Sequence, residues 1–330
     1  MNNFWQEKIK IGTLEVPRFM AAPLDGITDS PLRQLIRDFS KTELLMSEMR
    51  HVACVCNEKD GRSVIYEPVE HPLAFQFSAN KIDFIAGAVE KVIQRGFIMI
   101  NLNCGCPAPV VTKSGSGSAL MNNIPLFKEL VKEFTRTING RVPFTVKIRA
   151  GYKERNAVQF AQVAQDLGVE CIMIHPRTAP EGFTSRLDYD LAKRVKQALT
   201  IPVIFSGNIN RFEQAQRVYE MTGVDGFMIG RALWGAPWKM REITDAAEGK
   251  VFAADTVTAL KYALKHLELN LQSFGPKGFI PFKKQLPQYI RSIKDASEWR
   301  GKLLRSQTEP EMRDFMHTII QENSTAPGSI

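Results

Sequence analysis

Two cysteines, Cys104 and Cys106, flank Gly105 in the stretch NLNCGCPAPVVTKSGSGSAL (101–120), with Pro107 behind them and a glycine-serine run further on. Four chemistries are open to such a stretch: a metal site, a disulfide, a phosphate loop and a reactive thiol. Zinc takes about four ligands, usually with two to four residues between paired cysteines. The Cys-x-Cys pairs at 54/56 and 104/106, with His51, could be forced into such a site, but nothing completes the second pair. A disulfide between Cys104 and Cys106 would be strained at that separation. Five cysteines are an odd number for a chain of 330 residues, which argues for reduced thiols over a disulfide framework. A thiol with a pKa near ~8.5 is protonated at neutral pH and suits a general acid. No metal is expected.

A thiol works only where the fold aims it. Short apolar runs of strand length recur at 18–23, 43–48, 73–78, 98–104, 144–150, 171–176, 201–207 and 226–231, the second being the weakest. Amphipathic stretches such as 82–96 and 157–168 separate most of them. Strands apolar on both faces, alternating with helices, form a parallel sheet covered by helices. Eight such units in about 230 residues predict an α/β fold, the (β/α)8 TIM barrel, over residues 1–250. Beyond that point strand signals stop. Helical periods at 256–275 and 309–323 predict an all-helical C-terminal domain over 251–323, followed by a disordered tail, 324–330.

The middle of that domain is basic. Lys277, Lys283, Lys284, Arg291, Lys294, Arg300, Lys302 and Arg305 face only Asp295 and Glu298, and are interleaved with Phe279, Phe282, Tyr289 and Trp299. This reads either as a solvated helix face or as a contact surface for a phosphate backbone. The net charge of +8 favours a polyanionic partner. No run approaches the ~20 apolar residues of a membrane-spanning helix, and the N-terminal stretch has no apolar signal region. A cytoplasmic protein is the expectation.

In a barrel of this kind the active site lies at the C-terminal ends of the strands. Those ends carry Ala22 and Pro23, Glu48, Gln76, Asn103 with the two cysteines, Lys147 and Arg149, His175 and Arg177, Ser206 to Asn208, and Gly230 with Arg231. Any one could be satisfied by packing. Polar residues on nearly every strand end imply a ligand, because an unpaired buried polar group costs roughly 1–3 kcal/mol. Glycine turns after the seventh and eighth strands, with Arg231, fit the usual phosphate site of such barrels. Gln76, Lys147 and His175 then converge on the rest of a large phosphorylated cofactor. An amide and a lysine suit the polar edge of a flavin, where positive charge stabilises the anionic reduced ring. A thiol held by Gly105 and Pro107 at the mouth could protonate a substrate over it. The glycine-serine run is expected to be a mobile lid.

The motifs MAAPLDGITDSPLR, FQFSAN, NLNCGCP, GSGSALM, VKIRAGY, HPRT, SGNI and MIGRALW, in this order, resemble the tRNA-dihydrouridine synthase family of bacterial type. The resemblance spans the whole barrel and the layout of the helical domain. It implies reduction of the C5=C6 bond of a uridine in tRNA, with FMN bound and NADPH (or NADH) as the reductant. It implies that Cys106, the cysteine of GCP and not Cys104, gives the proton to C5, while hydride reaches C6 from N5 of reduced FMN. Ala22, Pro23 and Leu24 would lie along the isoalloxazine, contacted by Gln76, Lys147 and His175. Ser206, Gly207, Asn208, Gly230 and Arg231 would hold the phosphate end. Asn103, Arg149, Arg177, Arg50 and Phe183 are expected to face the uracil and its nucleotide. The expected assembly is a monomer that binds tRNA and a nicotinamide cofactor, away from membranes.

Three departures from the family pattern bear on the choice of uridine. Pro109 and Val110 follow GCP where a lysine is common, and Lys113 restores it only in part; Pro176 stands where glycine is commoner; Glu181 stands where glutamine is usual. The SGSGSAL segment resembles the subgroup acting near position 16 of the D-loop. Two rivals stay open. One is another FMN barrel reductase acting on a free pyrimidine or small enone, which needs no basic appendage. The other is a non-enzymatic RNA-binding barrel, which would hold no flavin.

Overall fold

The protein, described here from a computed structural model, is defined over residues 3–291 and 293–324. It begins with an antiparallel hairpin, β1 (Ile9–Ile11) and β2 (Leu14–Val16). Eight further strands follow: β3 (Phe19–Ala21), β4 (Leu45–His51), β5 (Leu73–Ser78), β6 (Met99–Cys104), β7 (Phe144–Gly151), β8 (Cys171–Thr178), β9 (Val203–Ser206) and β10 (Gly226–Ile229). They pair in parallel in the order β3-β10-β9-β8-β7-β6-β5-β4. The two outer members meet through a parallel bridge, Met20 to Leu44, and a 2.9 Å hydrogen bond from Ala21 N to Leu44 O. The sheet therefore closes into the eight-stranded barrel that the sequence predicts. Its weakest predicted strand, β4, runs on to His51 and shifts register between Met46 and Met49.

Alternation along each strand sorts the side chains. On β6, Ile100, Leu102 and Cys104 join the large core between sheet and helices, whereas Met99 belongs to a second, smaller core inside the barrel. That inner core is a layer of Met20, Met46, Ala74, Met99, Met173, Ile204 and Met228, and Ile9, Ile11 and Val16 of the hairpin pack with it. The hairpin thus stoppers the N-terminal end of the barrel. The sequence reading had no place for it: three-residue strands are too short to show a period. The upper strand ends carry the polar residues.

Beyond β10 the described residues form helices and connections only. Thr256–Phe274, Phe279–Tyr289, Ala296–Arg305 and Glu309–Ser324 enclose a third core that includes Leu260, Leu267, Phe282, Leu286, Leu303 and Met316, and Trp238 from the barrel side joins it. Phe282 and Tyr289 are therefore buried core residues and are not available to stack on bases. Their two-turn spacing puts them on one helix face, and that face is the inner one. The bundle docks on the helix Ser30–Phe39: Phe39 packs against its core, Lys265 pairs with Asp38 at 2.5 Å, and Gln285 Nε2 donates to Ile27 O at 3.0 Å. Ser324, expected in the disordered tail, ends the last helix. Residues 325–330 of that tail lie outside the described residues.

Candidate active site

Neighbouring strands bring the inward-facing polar residues side by side. Gln76 is in register with Asn101, Asn103 with Lys147, and Arg149 with His175. Immediately above the methionine layer these residues bond to one another. Asn101 Nδ2 donates to Thr145 Oγ1 at 2.8 Å, and Gln76 Nε2 donates to Asn101 Oδ1 at 2.7 Å. Asn103 Nδ2 donates to Gln76 Oε1 at 2.8 Å. Asn103 Oδ1 in turn accepts the backbone N–H groups of Gly105 (3.0 Å) and Cys106 (2.8 Å).

The cysteine loop is held from two further sides. Gly105 O accepts Arg149 Nε at 2.6 Å, while Arg149 Nη1 donates to Thr178 O at 2.9 Å, and Arg149 lines the cavity. Cys106 O accepts Ser118 N at 3.0 Å. The half-buried Cys106 lines the cavity, whereas Cys104 points into the outer core, where burial pushes its thiol well above the usual range. Among the described residues, no three His, Cys, Asp or Glu side chains come together as a metal site. The glycine-serine run is not a lid. Ser116, Gly117 and Ser118 are buried beneath the Cys106 loop, and a 3-10 helix, Gly117–Asn122, begins there. What looked like freedom in the composition is close packing.

Charge concentrates beside the thiol. The half-buried Lys147 makes no hydrogen bond or ion pair with any described residue, and burial, with Arg149 adding to it, lowers its pKa to about 8. His175 is driven down to about 2 by burial and then by Lys147, Arg149, Arg177 and Arg231, so its ring is neutral. Arg177 Nη1 lies 3.3 Å from His175 Nε2, and a guanidinium can only donate, so the ring proton sits on Nδ1. Arg177 itself is buried; its Nε and Nη2 donate to Ser185 O at 2.8 and 2.6 Å, and it does not reach the cavity wall. Arg50 stands back in the same way, paired with Glu48 (3.1 Å) and Asp25 (3.5 Å), and touches the cavity only through Asp25. Phe183 overhangs the mouth with Arg231 Cζ 4.3 Å from its ring centroid, and Arg231 Nη2 donates to Asn208 Oδ1 at 2.8 Å. Gly207 has φ +148, and a Cβ there would stand 2.8 Å from Leu187. Only glycine lets that turn pass so close.

Ala22, Pro23, Leu24, Gln76, Lys147, His175, Ser206, Gly207, Asn208, Gly230 and Arg231 line one cavity of about 970 Å³, its open mouth included, together with Asn103, Cys106, Arg149 and Phe183. The sequence reading missed Asp25, Met49, Asn210 and Met228 on the same wall. Met228 could have been found, two residues before Gly230 on the last strand. The shifted register of β4 hid Met49. A cation without a partner in the wall, and two glycine turns beside Arg231 at one end, fit a ligand with a phosphate and an acceptor-rich ring able to carry negative charge. Flavin mononucleotide has that chemistry.

The sequence matches the family model described as Dihydrouridine synthase (Dus) over residues 20–324. A protein named "Probable tRNA-dihydrouridine synthase 1" from Synechocystis sp. is 32% identical over 322 residues, covering 96% of this chain and 90% of that protein. The tRNA-dihydrouridine synthase B of Pseudomonas aeruginosa is 32% identical over 310 residues, covering 91% of this chain and 92% of its own. Among solved structures, histamine dehydrogenase from Rhizobium sp. 4-9 superposes with a TM-score of 0.60 at 11% identity, covering 81% of this chain. The match takes in 51% of that enzyme, so the present chain spans about half its length, and the likeness is one of barrel fold.

Proposed function

The chain belongs to the dihydrouridine synthase family, and from that premise we propose that it reduces the C5=C6 bond of one uridine in tRNA, with FMN in the barrel mouth and NADPH as the reductant. The observation that carries this reading is a single cavity lined by both a free thiol, Cys106, and an ammonium, Lys147, without a partner among the described residues.

The C5=C6 bond of uracil is conjugated to a carbonyl, so hydride adds at C6 and a proton must reach C5. Bound FMN, recharged by NADPH, would supply the hydride. The protein supplies the rest. Ser206, Gly207, Asn208, Gly230 and Arg231 would hold the phosphate end, and Ala22, Pro23 and Leu24 would line the ring. Lys147 would set a positive charge beside the ring, while Gln76 and the neutral His175 would offer amide and ring N–H groups. Cys106 Sγ gives its proton to C5. Asn103, Arg149 and Phe183 hold the base; Arg177 acts through His175 and the Ser185 loop, and Arg50 through Asp25.

A base stacked in folded tRNA must be extruded to enter, at a cost of a few kcal/mol. We assign that anchoring to residues 251–323 as the tRNA-binding domain beside a catalytic domain of residues 1–250. Lys277, Lys284, Arg291, Lys294 and Arg305 are exposed there, whereas Lys283 bonds to Ser306 O and Lys302 to Glu298. A cleft containing Arg211, Lys239 and Arg291 shares Asn210 and Arg231 with the reaction cavity, which gives a charged path from bundle to mouth. We take the protein to act in the cytoplasm, with its substrate, as a monomer.

Incubation with unmodified tRNA and NADPH tests the reading: mass mapping should find a two-hydrogen gain in one uridine. A yellow protein that reduces a free pyrimidine and leaves tRNA untouched would favour the small-enone reductase. A colourless protein that refuses FMN would overturn both.

A further inference from the structure

Between the methionine layer and the cavity runs a chain of four polar side chains, Thr145, Asn101, Gln76 and Asn103, each nine-tenths or more buried. Barrel interiors are ordinarily filled by apolar layers. A row of amides there is expensive unless each group is satisfied, and here each is.

The direction of the chain is dictated from its upper end. Backbone N–H groups can only donate, so the atom of Asn103 facing Gly105 N and Cys106 N must be Oδ1. Its Nδ2 then faces Gln76, which must present Oε1. Gln76 Nε2 is left facing Asn101, which must present Oδ1, and Asn101 Nδ2 ends on Thr145 Oγ1. Thr145 Oγ1 closes the series by donating to Ile100 O at 3.2 Å. Turning over the amide of Asn101 would set its Nδ2 against Gln76 Nε2, donor to donor. Gln76 would have to turn in response and offer a donor to Asn103, which would then lose its hold on the loop. The orientation of the Cys106 loop is therefore coupled to a residue two strand positions below Asn103, outside the cavity wall.

We infer that Asn101 is a positioning residue: acting through Gln76 and Asn103, with Thr145 as its anchor, it fixes the pose of the loop that aims the Cys106 thiol into the cavity. Its catalytic meaning rests on the reading of Cys106 as the proton donor. Its geometric content does not.

The test therefore reads the thiol directly. Cys106 is alkylated with iodoacetamide in the full chain, with the exposed Cys54 as internal control. Asn101→Leu keeps the branched outline and removes both polar atoms. It should change the Cys106 alkylation rate about fivefold or more while Cys54 keeps its rate. It should also lower kcat on tRNA about tenfold. Asn101→Asp still accepts from Gln76 Nε2, and the Thr145 hydroxyl can turn to donate to its second oxygen. It should restore both values to within about twofold of the original. Thr145→Val, the milder cut, should shift alkylation in the same direction by about twofold, and it decides the matter if Asn101→Leu does not fold. An unchanged Cys106 rate in the folded variants overturns the inference, and so does an Asp variant that behaves like the Leu variant. If the unaltered protein makes no dihydrouridine, the functional reading falls while the alkylation comparison still judges the relay.

Discussion

Gly117 lies against Cys106: a Cβ at position 117 would stand 2.7 Å from the Cys106 carbonyl oxygen and 3.3 Å from its Cβ, and Gly117 has φ +62. The small residue supports the reactive loop from behind. Gly117→Ala should therefore destabilise the protein by roughly 1–3 kcal/mol and reduce turnover about tenfold or more. Gly182→Ala, where an added Cβ meets nothing within 4 Å, is the control and should change neither. Thermal melts and tRNA turnover, measured on both variants, check this pair.

The two cysteines of the GCP motif region should separate cleanly. Cys106→Ala should lower kcat by about 10²–10⁴-fold, the usual contribution of a positioned acid, with FMN binding unchanged. Cys104→Ala leaves a small void in the outer core and should cost about 1 kcal/mol of stability with kcat little altered. FMN titration and single-turnover assays distinguish the two patterns.

Lys147 has a folded-state pKa of about 8, below its ordinary 10.5. Its charge is present below about pH 8 and disappears above it. FMN affinity should therefore fall as pH rises from 7 through 9, and bound anion will move the midpoint upward. Lys147→Met should bind FMN more weakly and without that pH dependence, as read by quenching of flavin fluorescence.

Acid stability is set in part by three buried groups. His175 and His266 are held neutral, at about 2 and about 3 against an ordinary 6.5, mainly by burial. Asp29, 4.0 Å from His266, is raised by burial from 3.8 to about 7. Between pH 4 and 6.5 the unfolded chain binds a proton at each histidine that the folded chain lacks, so both contributions to stability are lost as pH falls. Asp29 has the opposite sign, since the folded chain holds the extra proton there. Net, these groups favour the unfolded state by one proton, a slope of about 1.4 kcal/mol per pH unit. Asp29→Asn preserves the cap on Leu32 N and should steepen the decline, and His266→Gln should flatten it, in denaturant unfolding followed against pH.

Charge removal on the helical bundle should act on binding alone. Replacing exposed Lys277, Lys284 and Arg291 by alanine should raise KM for tRNA several-fold with kcat kept, and make KM less sensitive to salt. Lys302→Ala, already paired with Glu298, should do much less.

The barrel was legible because its strands are apolar on both faces and bounded by turns, and the cavity because alternation puts every second residue of a strand inside. Arg177 broke that inference. The β7–β8 register shifts after Arg149, and the returning loop offers Ser185 O, so a side chain of the right parity is held in the wall behind His175. Asn101 was passed over for a related reason: the sequence shows an inward polar residue, but not that its amide is bonded on both sides. The glycine-serine run misled because glycine serves mobility and close approach alike, and only the neighbour of Gly117 tells which. Phe282 and Tyr289 were judged by their basic neighbours in sequence, when their helix face was the better guide.

The β1–β2 hairpin, finally, bears on the order of events. Ile9, Ile11 and Val16 fill the lower end of the barrel, so the reaction chamber has its doorway at the other end. In the proposed reaction a nicotinamide and an extruded uracil both have business with the same ring, and they must come and go by that one entrance. On that proposed reaction the reductant would deliver and leave before the RNA base arrives, and the two half-reactions would alternate in time.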